Sequence, residues 1–323
     1  MTYRNPFRPS TRARSRRVSR WGDRIFASIT GLAAVGVIAL LIALVIVLYN
    51  DAKPTLELFG PRFLYTSVWD PVGNVYGIVP FAAGTLLTSA LALVIGVPLS
   101  LGAAIFLTQQ APLWLRRPVS QVIELLAAIP SIIYGFWGLI VLVPIMRYDV
   151  EPQLHTYLGW TGWFSGDAIG LDVLTASIVL SIMTIPTITA ISRDAMAAVP
   201  RSQKEAALSL GATEWEVTRN AVLPYARSGI VAGIVLGLGR ALGETMAVTL
   251  VIGNRNVVPT SLFSQGQTIA SLIANEFTEA SGPLELSALI EAGLILLIIT
   301  LVINVGARTI LARFQATPGA NAT

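Results

Sequence analysis

Long uncharged runs alternate with short polar ones from residue 25 almost to the end of the chain. A helix needs about 20 apolar residues to cross the hydrocarbon core of a bilayer. Ile25 to Tyr49 is uncharged and stops at Asn50-Asp51. Residues 76–107 are uncharged and longer than one crossing needs, so Pro80 and Pro98 either bend or divide that run. Residues 119–146 hold one charge, Glu124, and residues 173–192 hold none. Residues 226–253 carry Arg240 and Glu244, and residues 286–307 carry Glu291. The pattern predicts an all-α polytopic membrane protein with six transmembrane helices. Residues 1–24 form a basic tail, 25–313 one transmembrane domain and 314–323 a small polar tail that frays. Pro186, in the fourth run, is read as a bend.

Composition agrees with this reading. Charged residues make up 12% of the 323 positions and hydrophobic ones 54%, where soluble domains carry about 25% charge. With no cysteine and a single histidine, His155 in a polar loop, disulfides, thiolate chemistry and a histidine metal cluster are excluded. No catalytic or metal-binding residue is predicted. The net charge of +4 would suggest nucleic acid only on a soluble face, and the basic residues do not form one. Eight arginines precede Ile25, like the start of a signal peptide. The apolar run behind them is too long for a signal sequence and lacks a clear cleavage site, so it reads as a retained span beside anionic lipid.

With the N-terminus inside, inner segments hold seventeen of the 22 basic residues and outer loops four: Lys53, Arg62, Arg147 and Arg255. The outer loops also lean acidic. This asymmetry places both termini and the polar block 196–225 in the cytoplasm. Trp137, Trp160 and Trp163 fit an interfacial aromatic belt.

The block 196–225 is built from helix signals. Pro200 opens it. Ser202 with Glu205, and Thr213 with Glu216, have capping-box spacing. Gly211 stands where a helix takes a left-handed stop. The reading is two short helices, the second running to Pro224, joined by a tight corner. An amphipathic linker lying on the membrane is the competing interpretation, but it needs no rigid corner.

The wording of this block resembles the EAA loop of ABC-transporter permeases: Glu205-Ala206-Ala207, then Gly211, then Leu223-Pro224. The resemblance implies a loop that docks into a separate ATPase subunit and passes its motion to the membrane helices. GTLLT at 84–88, ELLAAIPSIIYGFWG at 124–138 and LGLGRALGETMAV at 236–248 narrow it. Together they resemble phosphate-specific ABC permeases of the PstC type, from about residue 20 to about residue 313. The family implies four classes of partner: a homologous PstA-type permease subunit, a PstB-type ATPase dimer, a PstS-type extracytoplasmic phosphate-binding protein and membrane lipid. It also implicates Arg240 and Glu244 in transport.

Arg240 carries its own physical argument. At the centre of a membrane helix an arginine costs about 2.5–3.5 kcal/mol on insertion scales. Glu244, at i+4 on the same face, is an available partner; Glu291 and a second subunit are others. Either the pair is structural, or Arg240 lines an anion pathway and Glu244 holds it between cargoes. A guanidinium grips phosphate oxygens bidentately and keeps its charge, which favours the pathway. Thr245 is placed there too. Ser131 and Tyr134 offer hydroxyls beside the break expected at Pro130, either to an anion or to the interrupted helix. Glycines 229, 233, 237, 239 and 243 leave room for close packing or for a gap beside the guanidinium. Glu124 is read as snorkelling to water.

No G-x-x-x-x-G-K-[ST] occurs, so the expectation is no bound cofactor here and ATP on a partner subunit. The expected function is a permease subunit of an ATP-driven phosphate importer working by alternating access. An importer of another solute, and an ATP-independent anion channel or carrier, remain open at this point.

Overall fold

The computed structural model describes residues 20–315 and the side chains of residues 21–309; nearly all of the two expected tails lies outside the described residues. Among the described residues, six helices are long and apolar enough to cross a membrane. The β pairing among the described residues is confined to two isolated bridges, Asp70–Val75 and Gly253–Gly266.

The first helix, α1 (Arg20–Phe59), runs past Tyr49 through Asn50, Asp51, Lys53 and Pro54. Its residues up to Val47 belong to one compact unit, and everything from Leu48 onward to another; the elements below belong to the second. A single turn, Arg62–Tyr65, leads to α2 (Val79–Ile105), which widens into a π turn at Phe106–Gln110. Pro80 lies in the first turn of α2 and Pro98 stays inside it, so the long run is one helix.

The third span differs most from expectation. α3 (Leu113–Ala128) stops before Ile129, whose ψ of 130° is extended. Pro130 disfavours the helical region at the residue before it and has no N–H of its own to give. The spanning helix proper is α4 (Ser131–Thr161), with π turns at Gly138–Leu142 and Met146–Val150. Arg147, Asp149 and Glu151, expected in an outer loop, therefore extend a helix. Glu124 on α3 pairs with Arg193 at 3.2 Å rather than snorkelling alone.

α5 (Val173–Ala197) continues through Pro186 without a break and is the most buried span among the described residues. It packs against α2, against α7 (Glu214–Leu242) and against α3. The sequence explains the closeness to α7. A Cβ on Gly229 would overlap the Ala195 side chain; on Gly233 it would lie 3.2 Å from Ile191, and on Gly237 2.7 Å from Ile188. Three glycines four apart form a flat strip that lets two backbones meet. Gly96 on α2 does the same against Thr184, at 3.1 Å.

Between α5 and α7 lies α6 (Arg201–Ser209). After α7 come α8 (Met246–Val251), α9 (Ile269–Glu276) and α10 (Pro283–Gln315). Of the stretches that carry the resemblance, GTLLT is a packing device. Gly84 lets the Gln267 carbonyl come into contact, and the Thr85 hydroxyl accepts the Ile269 N–H at 3.0 Å.

At the start of α5, Asp172 accepts the Thr175 N–H at 2.8 Å, and Glu151 accepts the Gly170 N–H at 3.1 Å. Both carboxyls are fully buried. Burial, and then a hydrogen bond with Glu151, push the Asp172 carboxyl up to about 8. Two carboxyls bond only through a shared proton.

Candidate functional site

The fifth span ends at Leu242, and residues 243–245 interrupt the helix before α8 begins. Arg240 thus occupies the last turn of α7, not the middle of a span continuing to 253. The ion pair expected with Glu244 is not formed: the two no longer share a helix face, and none of the salt bridges among the described residues includes Arg240. Glu244 instead accepts the Ala247 N–H at 3.3 Å, satisfying one of the free amides that begin α8. Glu291, the other carboxylate considered, is buried near Thr55 at the opposite end of α10.

Arg240 faces a cavity of about 480 Å³ between α7 and α10, within the size range of small-ligand pockets. Asn304 and Arg308 share its wall, one turn apart on α10, with Leu236, Leu301 and Val305 completing it. Gly239 makes the room: a Cβ there would lie 3.9 Å from the Asn304 amide. Glycines 229, 233 and 237 thus give close packing on one face of α7, while Gly239 gives a gap on another. Asn304 and Arg308 were not singled out from sequence. The available signal was an amide inside an apolar run with an arginine at i+4.

Of the other predicted pathway residues, Thr245 lies in the break, its hydroxyl donating to the Gly243 carbonyl at 3.3 Å. Tyr134 is within electrostatic reach of Arg240. Its hydroxyl donates to the Leu126 carbonyl at 2.8 Å, mending the helix across Pro130. Ser131 opens α4 three residues earlier and makes no hydrogen bond through its hydroxyl among the described residues. Gly135 lets α4 press on α8, where a Cβ would come 2.9 Å from the Ala247 Cα. The helices that follow the two breaks, α4 and α8, thus pack on one another.

The second candidate surface is the 196–225 block. Gly211 has φ +85° and turns the chain after α6. The Thr213–Glu216 capping box is formed, with the Thr213 N–H donating to Glu216 at 2.8 Å. The Ser202–Glu205 box is not, because Pro200 takes the cap position and Ser202 falls inside the helix. Nor does a second short helix end at Pro224. The segment from Glu214 passes through a π turn at Thr218–Val222 and continues as α7. Pro224 sits in the first turn after that π turn, where its missing N–H costs little.

Ala207, Leu223, Val217 and Val222 anchor the corner in an apolar cluster with Ala104 and Met196. Glu205, Ala206 and Gly211 face outward beside Leu208, Leu210 and Trp215, the last three 49%, 89% and 57% exposed. Together these side chains make an exposed apolar patch on a capped, anchored corner.

At the other end of the bundle a third cavity, of about 440 Å³, is lined by Asp167, Arg255, Thr260, Ser264 and Gln265 among others.

Comparison with known proteins agrees with this architecture. Residues 96–316 match the model of the binding-protein-dependent transport system inner membrane component family. The phosphate transport system permease protein PstC of Mesorhizobium japonicum is 48% identical over 302 residues, covering 92% of this chain and 92% of that protein. The PstC proteins of Haemophilus influenzae and Pasteurella multocida are 47% and 49% identical, covering 93% and 92% of this chain and 96% and 94% of theirs. Among solved structures, a bacterial ABC transporter involved in alginate import matches with a TM-score of 0.55 at 17% identity, over 90% of this chain and 99% of that one. The inward-facing MetNI methionine transporter matches with a TM-score of 0.50 at 18% identity, over 74% and 94%. These two show the fold. The chain belongs to the binding-protein-dependent transport system inner-membrane components, and within them to the family of PstC-type permease proteins.

Proposed function

We propose that this chain is the permease subunit through which an ATP-driven importer moves inorganic phosphate across the cytoplasmic membrane. The observation that carries it is Arg240, without a carboxylate partner among the described residues, sharing a 480 Å³ cavity with Asn304 and Arg308. Two guanidinium groups and an amide suit a tetrahedral, doubly charged oxyanion. They supply forked donors and fixed positive charge. The names of the relatives supply the cargo.

Both termini face the cytoplasm in this reading, as the arginine asymmetry requires. The corner made by α6 and the start of α7 seats in a PstB-type ATPase dimer, which binds the ATP. Glu205, Ala206 and Gly211 touch it, while Ala207, Leu223 and Pro224 join the corner to the span. A PstA-type subunit completes the pathway, and a PstS-type binding protein delivers phosphate at the outer face. ATP binding moves the corners, and the two permease subunits rock between inward- and outward-open states.

The test is labelled-phosphate uptake by the assembled transporter. Arg240→Gln abolishes uptake while the complex still co-purifies. Uptake at the normal rate by that variant overturns the pathway role. Undiminished phosphate uptake in cells lacking the chain overturns the cargo.

A further inference from the structure

A cavity of about 380 Å³ opens where α6 meets the ends of α2, α3 and α5, with four cations on its wall: Arg116, Arg193, Arg201 and Lys204. Two carboxylates serve it, and both go to Arg193: Asp194 at 2.9 Å and Glu124 at 3.2 Å. Arg116, Arg201 and Lys204 have no acidic partner among the described residues. Arg116 spends one terminal nitrogen on the carbonyls of Thr108 and Ala111, at 3.2 and 3.3 Å. Its Nε is buried and has no hydrogen-bond partner. Lys204 Nζ reaches only the Gln109 amide oxygen, at 3.4 Å. Burial, then the charges of Arg116 and Arg201, pull the Lys204 ammonium below its usual range. Like charges gathered around a cavity, with a buried donor left over, are complementary to an anion.

We propose that this cavity is a phosphate-group binding site, distinct from the transport pathway, that clamps the coupling helix α6 to the ends of α3 and α5. Arg201 and Lys204 belong to α6, the helix that meets the motor in the function proposed above; Arg116 and Arg193 belong to the membrane bundle. An anion held by Arg116 on one side and by Arg201 and Lys204 on the other ties the two together, so its arrival restrains the lever. Ser120 on the wall adds a hydroxyl donor. The phosphate group is either free inorganic phosphate or the headgroup of an anionic phospholipid, and both present the same tetrahedral oxygens. The site is independent of which solute the pathway carries.

Limited trypsinolysis of the full chain in nanodiscs tests this, read by mass spectrometry as the rate of cleavage after Arg201. In phosphatidylcholine discs, inorganic phosphate slows this cut about threefold or more if the free anion is the ligand. In phosphatidylglycerol discs without phosphate, the same slowing identifies the lipid. Arg116→Gln and, separately, Lys204→Gln remove the protection, the second without touching the bundle interior, whereas Arg240→Gln leaves it intact. No protection in either disc overturns the proposal. So does equal protection by sodium chloride at matched ionic strength, or protection that survives both Arg116→Gln and Lys204→Gln. Loss of uptake in Arg240→Gln reports on the pathway alone, so the two readings fail separately.

Discussion

The Glu244 carboxylate accepts the Ala247 backbone N–H at 3.3 Å, across the break that separates α7 from α8. That contact takes Glu244 away from Arg240 and leaves the guanidinium to the cavity. It also gives Glu244 a capping role that an amide oxygen can fill. Glu244→Gln is expected to keep the stability of the chain, while Glu244→Ala loses about 1 kcal/mol. Thermal unfolding of the two variants in nanodiscs separates them; equal losses would mean that the cap is not what Glu244 contributes.

Arg308 and Asn304 are expected to matter for transport as well as Arg240. Removing one charged donor to an anion costs about 1.5–3 kcal/mol, so Arg308→Gln should lower phosphate uptake by roughly tenfold or more. Asn304→Leu should lower it less and raise the half-saturating phosphate concentration. Uptake kinetics in cells relying on this transporter check both, with wild-type kinetics in Arg308→Gln as the outcome against.

The glycine strip on α7 makes a packing prediction. Gly233→Leu drives a side chain into Ile191, where even a Cβ would lie at 3.2 Å. Overpacking of this kind costs about 1–3 kcal/mol. Gly239→Ala, facing the open cavity, should cost far less. A thermal-shift comparison of the two in the same detergent measures the difference.

Asp172 predicts a pH dependence. Its carboxyl is raised from 3.8 to about 8 in the folded chain, so the folded state holds a proton that the unfolded state releases. Stability from this group is full below about 4 and declines as pH rises through about 8. The melting temperature should therefore fall between about pH 4 and pH 8 and level off above that. Asp172→Asn keeps an oxygen for the Thr175 N–H and removes the titration, so it should flatten that fall. A variant as pH-sensitive as the wild type would assign the effect elsewhere.

At the coupling corner, Gly211 holds φ +85° with open space around it. Gly211→Val meets no neighbour, yet its β-branched side chain resists the left-handed region by about 1–2 kcal/mol. The corner should distort and ATPase activity of the complex should uncouple from phosphate uptake, with the bundle intact. Coupled transport at the wild-type rate would show that the corner tolerates another geometry.

The sequence by itself determined the number of spans, their approximate limits, the corner at Gly211 and the capping box at Thr213. Each follows from local chemistry: apolar length, a residue that permits positive φ, a hydroxyl three residues before a carboxylate. It also singled out Arg240, because a charge within an apolar run has few explanations. The tertiary structure decided what Arg240 faces. The i+4 spacing to Glu244 assumed an unbroken helix, and Gly243 ends it. The companions Asn304 and Arg308 lie more than sixty residues away on α10. The cationic cavity under α6 draws its side chains from four helices and the loop between two of them. Spacing along a chain reports only neighbours on one helix, whereas a cavity is made by several helices that meet after folding.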